Sequence, residues 1–187
     1  MAVKIRDAKP EDVKRIYELA KSVKLDKEKP HANGFLVYIL DEDGYREKME
    51  LSDLFYVAEE NGEIVAFFMG YDDKLIEKLM ESSEIKKDDP VFSFVMKQKR
   101  PFVFGYQLAV DYNHSYRGIG KMLMDRLFED MLKKGITEVY ADILHKPIEN
   151  TASKNFVISI GCKFIRDVDE GDGYIWGIYK IGGEGEN

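Results

Sequence analysis

The chain has 187 residues, of which 44% are hydrophobic and 34% charged, and its formal net charge is −7. This composition is that of a globular chain with a buried core, and the acidic balance argues against a nucleic-acid partner. A single cysteine, Cys162, excludes an intramolecular disulfide, which suits the cytoplasm. The three histidines lack metal-ligand spacing, so no metal site is predicted. No stretch approaches the roughly 20 apolar residues of a membrane span, so no membrane partner is expected.

The first part of the chain predicts a strand, two helices and a hairpin. Residues 3–8 alternate like a strand, and Pro10 opens a helix with one apolar face. A second helical pattern covers much of residues 34–50. The clearest signal is the Asn-Gly pair at 61–62, because it separates two apolar runs within residues 54–72 and therefore predicts a β-hairpin.

The middle of the chain contains a stretch that fits no single helix or strand pattern. Residues 73–81 predict a short helix, but a polar turn and a short apolar run follow, and we interpret the whole of residues 73–99 as an insertion. Residues 101–110 then predict a strand. Beyond a glycine-rich turn, apolar residues recur at helical spacing until Gly135, a residue suited to ending a helix.

The last part predicts a strand over residues 136–144, a short helix that ends at Gly161, and two closing strands. The tail, about residues 182–187, is expected to be frayed. The order of these elements predicts a single α/β (mixed α+β) domain over residues 1–187, built around one mixed sheet.

The glycine-rich turn reads NHSYRGIGK over residues 113–121 and joins a strand to a helix. Gly118 and Gly120 have no side chains, so a ligand can approach the backbone, and the N–H groups that begin a helix bind phosphate. Arg117 and Lys121 add positive charge beside them. The spacing fits neither a P-loop nor a dinucleotide-binding fingerprint. A turn that uses glycine for shape alone remains the alternative.

Three stretches resemble the GCN5-related N-acetyltransferase (GNAT) family: LAVDYNHSYRGIGKMLMDRLFEDMLKKG, the hairpin YVAEENGEIVAFFMG, and ENTASKNFVISIGCKF. The family's loop reads Q/R-x-x-G-x-G/A after a strand that ends in an apolar triplet. The resemblance covers most of the chain and implies a central, mostly antiparallel sheet of about seven strands flanked by about four helices. Residues 73–99 would be an insertion between the third and fourth strands.

The same resemblance implies acetyl-CoA as the cosubstrate. Its pantetheine arm would pair with the backbone of the fourth strand, its pyrophosphate would lie on the loop, and a later asparagine would contact the arm. The implied cofactor-binding residues are Leu108, Ala109, Val110, Ser115, Tyr116, Arg117, Gly118, Ile119, Gly120, Lys121, Asn150, Ser153 and Lys154. Two positions depart from the family's pattern. Ser115 replaces the usual Gln or Arg, and Val157 stands where many members have a catalytic tyrosine.

Acetyl transfer by direct attack of an amine on the thioester needs a base, a polarised carbonyl and a proton for the departing sulfur. The N–H groups near Ala109 and Val110 are candidates to polarise the carbonyl. Structural roles compete with catalytic ones: Glu59 with its neighbour Glu60 is favoured as the exposed end of a hairpin, and Cys162 as a buried inert thiol. The candidate catalytic residues are Asp142, His145 and Glu59 as bases and Tyr106, with Tyr174 as an alternative, as the acid.

Two functions fit these observations. One is an N-acetyltransferase that acts on a primary amine of a small molecule or a peptide. The other is a non-catalytic acyl-CoA-binding module or sensor, which Val157 keeps open because the usual tyrosine is missing. A homodimer is also compatible with the sequence.

Overall fold

The protein is described by a computed structural model that covers residues 2–28, 33–171 and 173–182. Within these residues the strands are β1 (Lys4–Asp7), β2 (Phe55–Glu60), β3 (Glu63–Asp72), β4 (Val103–Val110), β5 (Glu138–Lys146), β6 (Lys163–Gly171) and β7 (Tyr174–Gly182). The α-helices are α1 (Val13–Ser22), α2 (Glu42–Leu51), α3 (Asp73–Glu81), α4 (Pro90–Val95), α5 (Ile119–Lys133) and α6 (Thr151–Ser159). Short 3-10 turns lie at Pro10–Asp12 and Tyr112–His114.

The strands form a seven-stranded sheet in the order β1-β2-β3-β4-β5-β7-β6, which confirms the predicted mixed α/β fold. Strands β4 and β5 are parallel, paired from Val103 with Val139 to Gly105 with Ala141, whereas β1–β2, β2–β3, β5–β7 and β6–β7 are antiparallel. Contacts group the chain into two compact units. The first unit comprises Met1–Gly70 with Tyr106–Asp130, and the second comprises Tyr71–Gly105 with Met131–Asn187.

The core of the first unit follows from its hairpin and its first helix. Asn61 and Gly62 have positive φ angles of 56° and 82°, the conformation that a two-residue hairpin turn requires. Both faces of β2 and β3 are largely buried, as their near-continuous apolar runs require. Tyr45 of α2 is fully buried and packs edge-on against Phe55 and Phe67. Each such buried aromatic contributes on the order of 2 kcal/mol from area removed from water.

The second unit contains the predicted insertion, which consists of two capped helices. Helix α3 matches the predicted span, and Asp72 caps it by accepting the Leu75 N–H at 2.8 Å. Helix α4 begins at Pro90 because Asp89 accepts the Phe92 N–H at 2.9 Å and proline suits a first helical position. Phe92 then packs against Phe104 at a ring-centroid distance of 5.0 Å. The described residues therefore contain six α-helices rather than about four.

Two boundaries differ from the sequence-based expectation. The helix predicted within residues 34–50 begins only at Glu42, because Asp41 caps it by accepting the Gly44 N–H at 2.8 Å. The segment before it is not helical, and Leu36 forms a parallel bridge with Lys24. Of the tail expected to be frayed, Gly182 belongs to β7, and residues 183–187 lie outside the described part of the chain. In that described part, no helix combines the length and apolar character that a bilayer crossing requires.

Candidate active site

The glycine-rich turn presents the first turn of α5 in the way its sequence predicts. Tyr116 and Gly118 have positive φ angles of 63° and 79°. The Met122 N–H donates to the Gly118 carbonyl at 3.1 Å, so the N–H groups of residues 119–121 lack a partner four residues earlier within the helix. No heavy atom lies within 4 Å of a Cβ built on Gly118, so the backbone is open there. These N–H groups and the positive end of the helix dipole form an anion-receptive surface.

The cations predicted around this surface are each paired with a carboxylate. Arg117 donates two hydrogen bonds to Glu60, at 2.8 and 2.6 Å, and these bonds lower the pKa of Glu60 below its usual value. Lys121 donates to both oxygens of Asp125 at 2.8 Å. In the second unit, the Lys154 ammonium lies 2.7 Å from a Glu149 oxygen. These three cations are therefore already engaged by carboxylates, and the N–H groups of residues 119–121 are the further donors at the start of α5.

The end of β2 is not the exposed hairpin end that we expected. Glu59 is half-buried and accepts the Arg6 Nε–H at 2.8 Å, and Arg6 also donates to both oxygens of Asp12. The Glu60 side chain is only 10% exposed. The expectation was wrong because acidic residues beside a turn can be covered by arginines from distant segments, which a single sequence does not reveal. Glu59 is already engaged by the Arg6 guanidinium, which makes it a weaker candidate for the catalytic base.

Strand β4 within the first unit alternates between the two faces of the sheet. Ala109 is buried, whereas Tyr106, Leu108 and Val110 are half-buried. The buried Gln107 accepts a hydrogen bond from the Tyr45 hydroxyl at 2.9 Å and donates to the Tyr38 carbonyl at 2.9 Å. Gln107 thereby ties α2 and the segment before it to β4.

The polar residues before the loop are held by local bonds. Ser115 Oγ donates to the Asp111 carbonyl at 3.4 Å, and the Ser115 N–H donates to the Tyr112 carbonyl at 3.3 Å. The Asp111 N–H donates to the Val65 carbonyl at 2.8 Å, which fixes the end of β4 to β3. Sequence reasoning missed the roles of Glu60, Gln107 and Asp111, because each depends on a partner far away in the chain.

Asp142 lies on β5 in the second unit, paired in register with Ile178. Its side chain is half-buried, and burial raises the pKa of Asp142 to about 7. The carboxylates of Asp89 and Glu170 raise it further by repulsion. A carboxyl group with a pKa near neutrality can gain and lose a proton under working conditions.

His145 is clamped by its neighbours in the second unit. Its Nδ1 lies 2.7 Å from Asp167 Oδ1 and its Nε2 lies 3.0 Å from the Tyr179 hydroxyl. The ring also stacks against Phe164 and covers Gly177, where an added Cβ would lie 2.2 Å from His145 Cε1. Both ring nitrogens therefore have protein partners, which favours a structural role for this histidine.

Helix α6 begins at Thr151, and the residue before it, Asn150, is buried and caps the helix by accepting the Ser153 N–H at 3.3 Å. Val157, at the position of the missing tyrosine, packs with Ile143, Cys162 and Tyr179 in one apolar cluster. Cys162 is buried, and burial raises the pKa of its thiol to about 11. The thiol is therefore protonated at neutral pH, as an inert core residue would be.

Comparison with known protein families identifies the family to which this chain belongs. The profile of the Acetyltransferase (GNAT) family matches residues 13–161. The chain belongs to this family, as the resemblance predicted. No curated protein matches the sequence.

Solved structures share the fold over nearly the whole chain. Ard1 from Thermoplasma volcanium is 16% identical, with 98% of this chain and 100% of that chain covered and a TM-score of 0.69. The PaiA N-acetyltransferase from Thermoplasma acidophilum, in complex with coenzyme A, is 17% identical, with 98% and 100% covered and a TM-score of 0.65. YncA, a putative acetyltransferase from Salmonella typhimurium with acetyl-CoA, is 19% identical, with 100% and 97% covered and a TM-score of 0.65. At these identities the likeness is one of fold.

Proposed function

We propose that this protein transfers the acetyl group of acetyl-CoA to a primary amine by direct attack of the amine on the thioester. The observation that carries the proposal is the left-handed turn at Tyr116 and Gly118, which is open at Gly118 and leads into the first N–H groups of α5 inside the matched family segment. The match includes parts of both compact units, so we also propose that residues 1–187 form one acetyltransferase domain. Relatives of the same fold in complex with coenzyme A or acetyl-CoA support the choice of cosubstrate.

The loop residues fit a pyrophosphate group. The N–H groups of residues 119–121 supply the donors, and the open space at Gly118 lets a phosphate approach them. Acetyl-CoA supplies the activated acetyl group as a thioester. Along β4, the backbone from Leu108 to Val110 is proposed to bind the pantetheine arm, with N–H groups near Ala109 and Val110 polarising the thioester carbonyl. Asn150, Ser153 and Lys154 are retained as further cofactor contacts.

We assign the role of base to Asp142. An amine acceptor arrives as an ammonium ion, and it must lose a proton before nitrogen can attack carbon. Asp142 is charged above a pH of about 7 and holds a proton below it, so it can accept that proton near neutrality. Glu59 and His145 are weaker candidates because each is engaged by protein partners. Tyr106 remains the proposed proton donor to the sulfur.

The first experiment measures acetyl-CoA binding by isothermal titration calorimetry for the wild-type chain and for Gly120→Glu. The new carboxylate would repel the pyrophosphate at the start of α5, so we expect binding to fall below detection. Leu132→Glu adds the same charge to an exposed site late in the same helix, where the leucine is 71% exposed, and should bind normally. Absence of binding to the wild-type chain would remove the acetyltransferase proposal.

A second assay separates catalysis from binding alone. The chain is mixed with acetyl-CoA and a panel of primary amines, comprising peptide N-termini, lysine side chains, polyamines and amino sugars, and free thiol is monitored. Acetyl transfer to one of these amines, lost in Asp142→Asn, supports the enzyme. Tight acetyl-CoA binding without transfer to any of them supports the acyl-CoA-binding module.

A further inference from the structure

One carboxylate at the end of β2 holds two residues of the glycine-rich turn. Glu60 accepts two hydrogen bonds from the terminal nitrogens of Arg117, and its Oε2 lies 3.3 Å from His114 Nε2. The other ring nitrogen of His114, Nδ1, lies 3.3 Å from Asp111 Oδ1. The segment from His114 to Arg117 is thus attached at both of its ends to a single side chain of β2.

This attachment spans the strained part of the turn. Tyr116, a non-glycine residue with a positive φ of 63°, lies between the two attached residues and is 85% exposed. A left-handed conformation at such a residue costs free energy, and it persists only where surrounding contacts offset that cost. The contacts to Glu60 offset this cost, because Glu60 is anchored in β2 and its side chain is only 10% exposed.

The ion pair with Glu60 leaves Arg117 able to donate hydrogen bonds to a phosphate at the same time. Glu60 receives its two bonds from Nη1 and Nη2, and a guanidinium carries more N–H donors than these two. The Arg117 side chain is 46% exposed, so a ligand beside the turn can reach it. Glu60 therefore need not release Arg117 when an anion binds beside the turn.

We infer that Glu60 is a positioning residue for the cofactor, which fixes the turn in the shape that presents the first N–H groups of α5. The inference rests on the proposed binding of acetyl-CoA to this loop. The turn is already ordered before the cofactor binds, so binding does not cost the conformational entropy of ordering it. The affinity for acetyl-CoA is therefore higher than that of a disordered loop. Glu60 acts through Arg117 and His114 and does not contact the cofactor.

The test uses Glu60→Gln, which keeps the shape of the side chain and removes its charge. We expect the dissociation constant for acetyl-CoA to rise about tenfold in calorimetry, and the KM for acetyl-CoA to rise with little change in kcat, because only preorganisation is lost. Glu77→Gln is the matched control: Glu77 also accepts two bonds from one arginine, Arg100, at 3.3 and 3.2 Å, but belongs to α3. Its acetyl-CoA affinity should match that of the wild type.

Two further measurements decide whether Glu60 acts as inferred. In an Arg117→Gln background, Glu60→Gln should weaken binding much less than it does alone, since one of its two partners is already gone. Hydrogen exchange on the ligand-free chain should show faster exchange over residues 114–118 in Glu60→Gln than in wild type. Unchanged or tighter acetyl-CoA binding by Glu60→Gln would overturn the inference, as would unchanged exchange. If the wild-type chain does not bind acetyl-CoA, the proposed function fails, and the exchange result alone still decides whether Glu60 orders the turn.

Discussion

Substitution of Gly177 by alanine probes the contact that clamps His145. An added Cβ would lie 2.2 Å from His145 Cε1 and 2.3 Å from Nε2, which is far inside van der Waals contact. The imidazole must move, so it loses its hydrogen bonds to Asp167 and Tyr179 at 2.7 and 3.0 Å. Overpacking costs about 1–3 kcal/mol and each lost hydrogen bond about 1 kcal/mol. We therefore expect Gly177→Ala to lower the free energy of unfolding by about 3–5 kcal/mol.

The assay is urea unfolding of the single variants and of the double variant with His145→Ala. Without the imidazole the new methyl group meets no ring, and replacing glycine by alanine restricts the unfolded chain. Gly177→Ala should then be neutral or stabilising by about 0.5 kcal/mol. Such a difference between backgrounds is a direct measure of the coupling between residues 145 and 177. If Gly177→Ala destabilised both backgrounds equally, the clash would not be with His145, and the packing of the His145 ring over Gly177 would be refuted.

Three further predictions concern side chains of the two units. The Asp142 carboxyl binds its proton more tightly in the folded chain, with a pKa of about 7, than in the unfolded chain, so stability should fall as pH rises from about 4 to 7. Asp142→Asn should flatten this dependence in pH-dependent urea unfolding, and an unchanged dependence would contradict the raised pKa. Cys162, buried and with a pKa of about 11, should react with a thiol reagent only on unfolding; rapid reaction of the native chain at pH 8 would contradict the buried assignment. Gln107→Leu should cost about 1–2 kcal/mol in urea unfolding, because the buried Tyr45 hydroxyl loses its amide acceptor, whereas an unchanged midpoint would show that the bond contributes nothing.

The secondary-structure elements that were predicted best are those determined by residues close together in the sequence. The Asn-Gly turn at 61–62 defined the hairpin because few residues adopt positive φ at both positions, and the glycine-rich turn predicted a loop followed by the start of α5. Helix α4 was missed because its six residues are too few to show a period, although Asp89 and Pro90 are good start signals.

The partners of charged residues could not be predicted in the same way. Glu59 and Glu60 are adjacent, yet one pairs with Arg6 and the other with Arg117, at separations of 53 and 57 residues. Such pairs are determined by the folded arrangement of strands and not by local pattern. The half-buried state of Asp142 has the same origin, because an alternating strand does not reveal which residues cover its polar face.

The carboxylate partners of Arg117 and Lys121 have a consequence for how ions in solution affect the protein. Because Glu60 and Asp125 neutralise these two cations, the glycine-rich turn gathers few small anions that a ligand would have to displace. Attraction by backbone dipoles acts over short distances and is less sensitive to dissolved salt than attraction between full charges at longer range. The affinity for acetyl-CoA should therefore change little with ionic strength, as expected for a site that recognises an anion by the orientation of its N–H groups more than by its net charge.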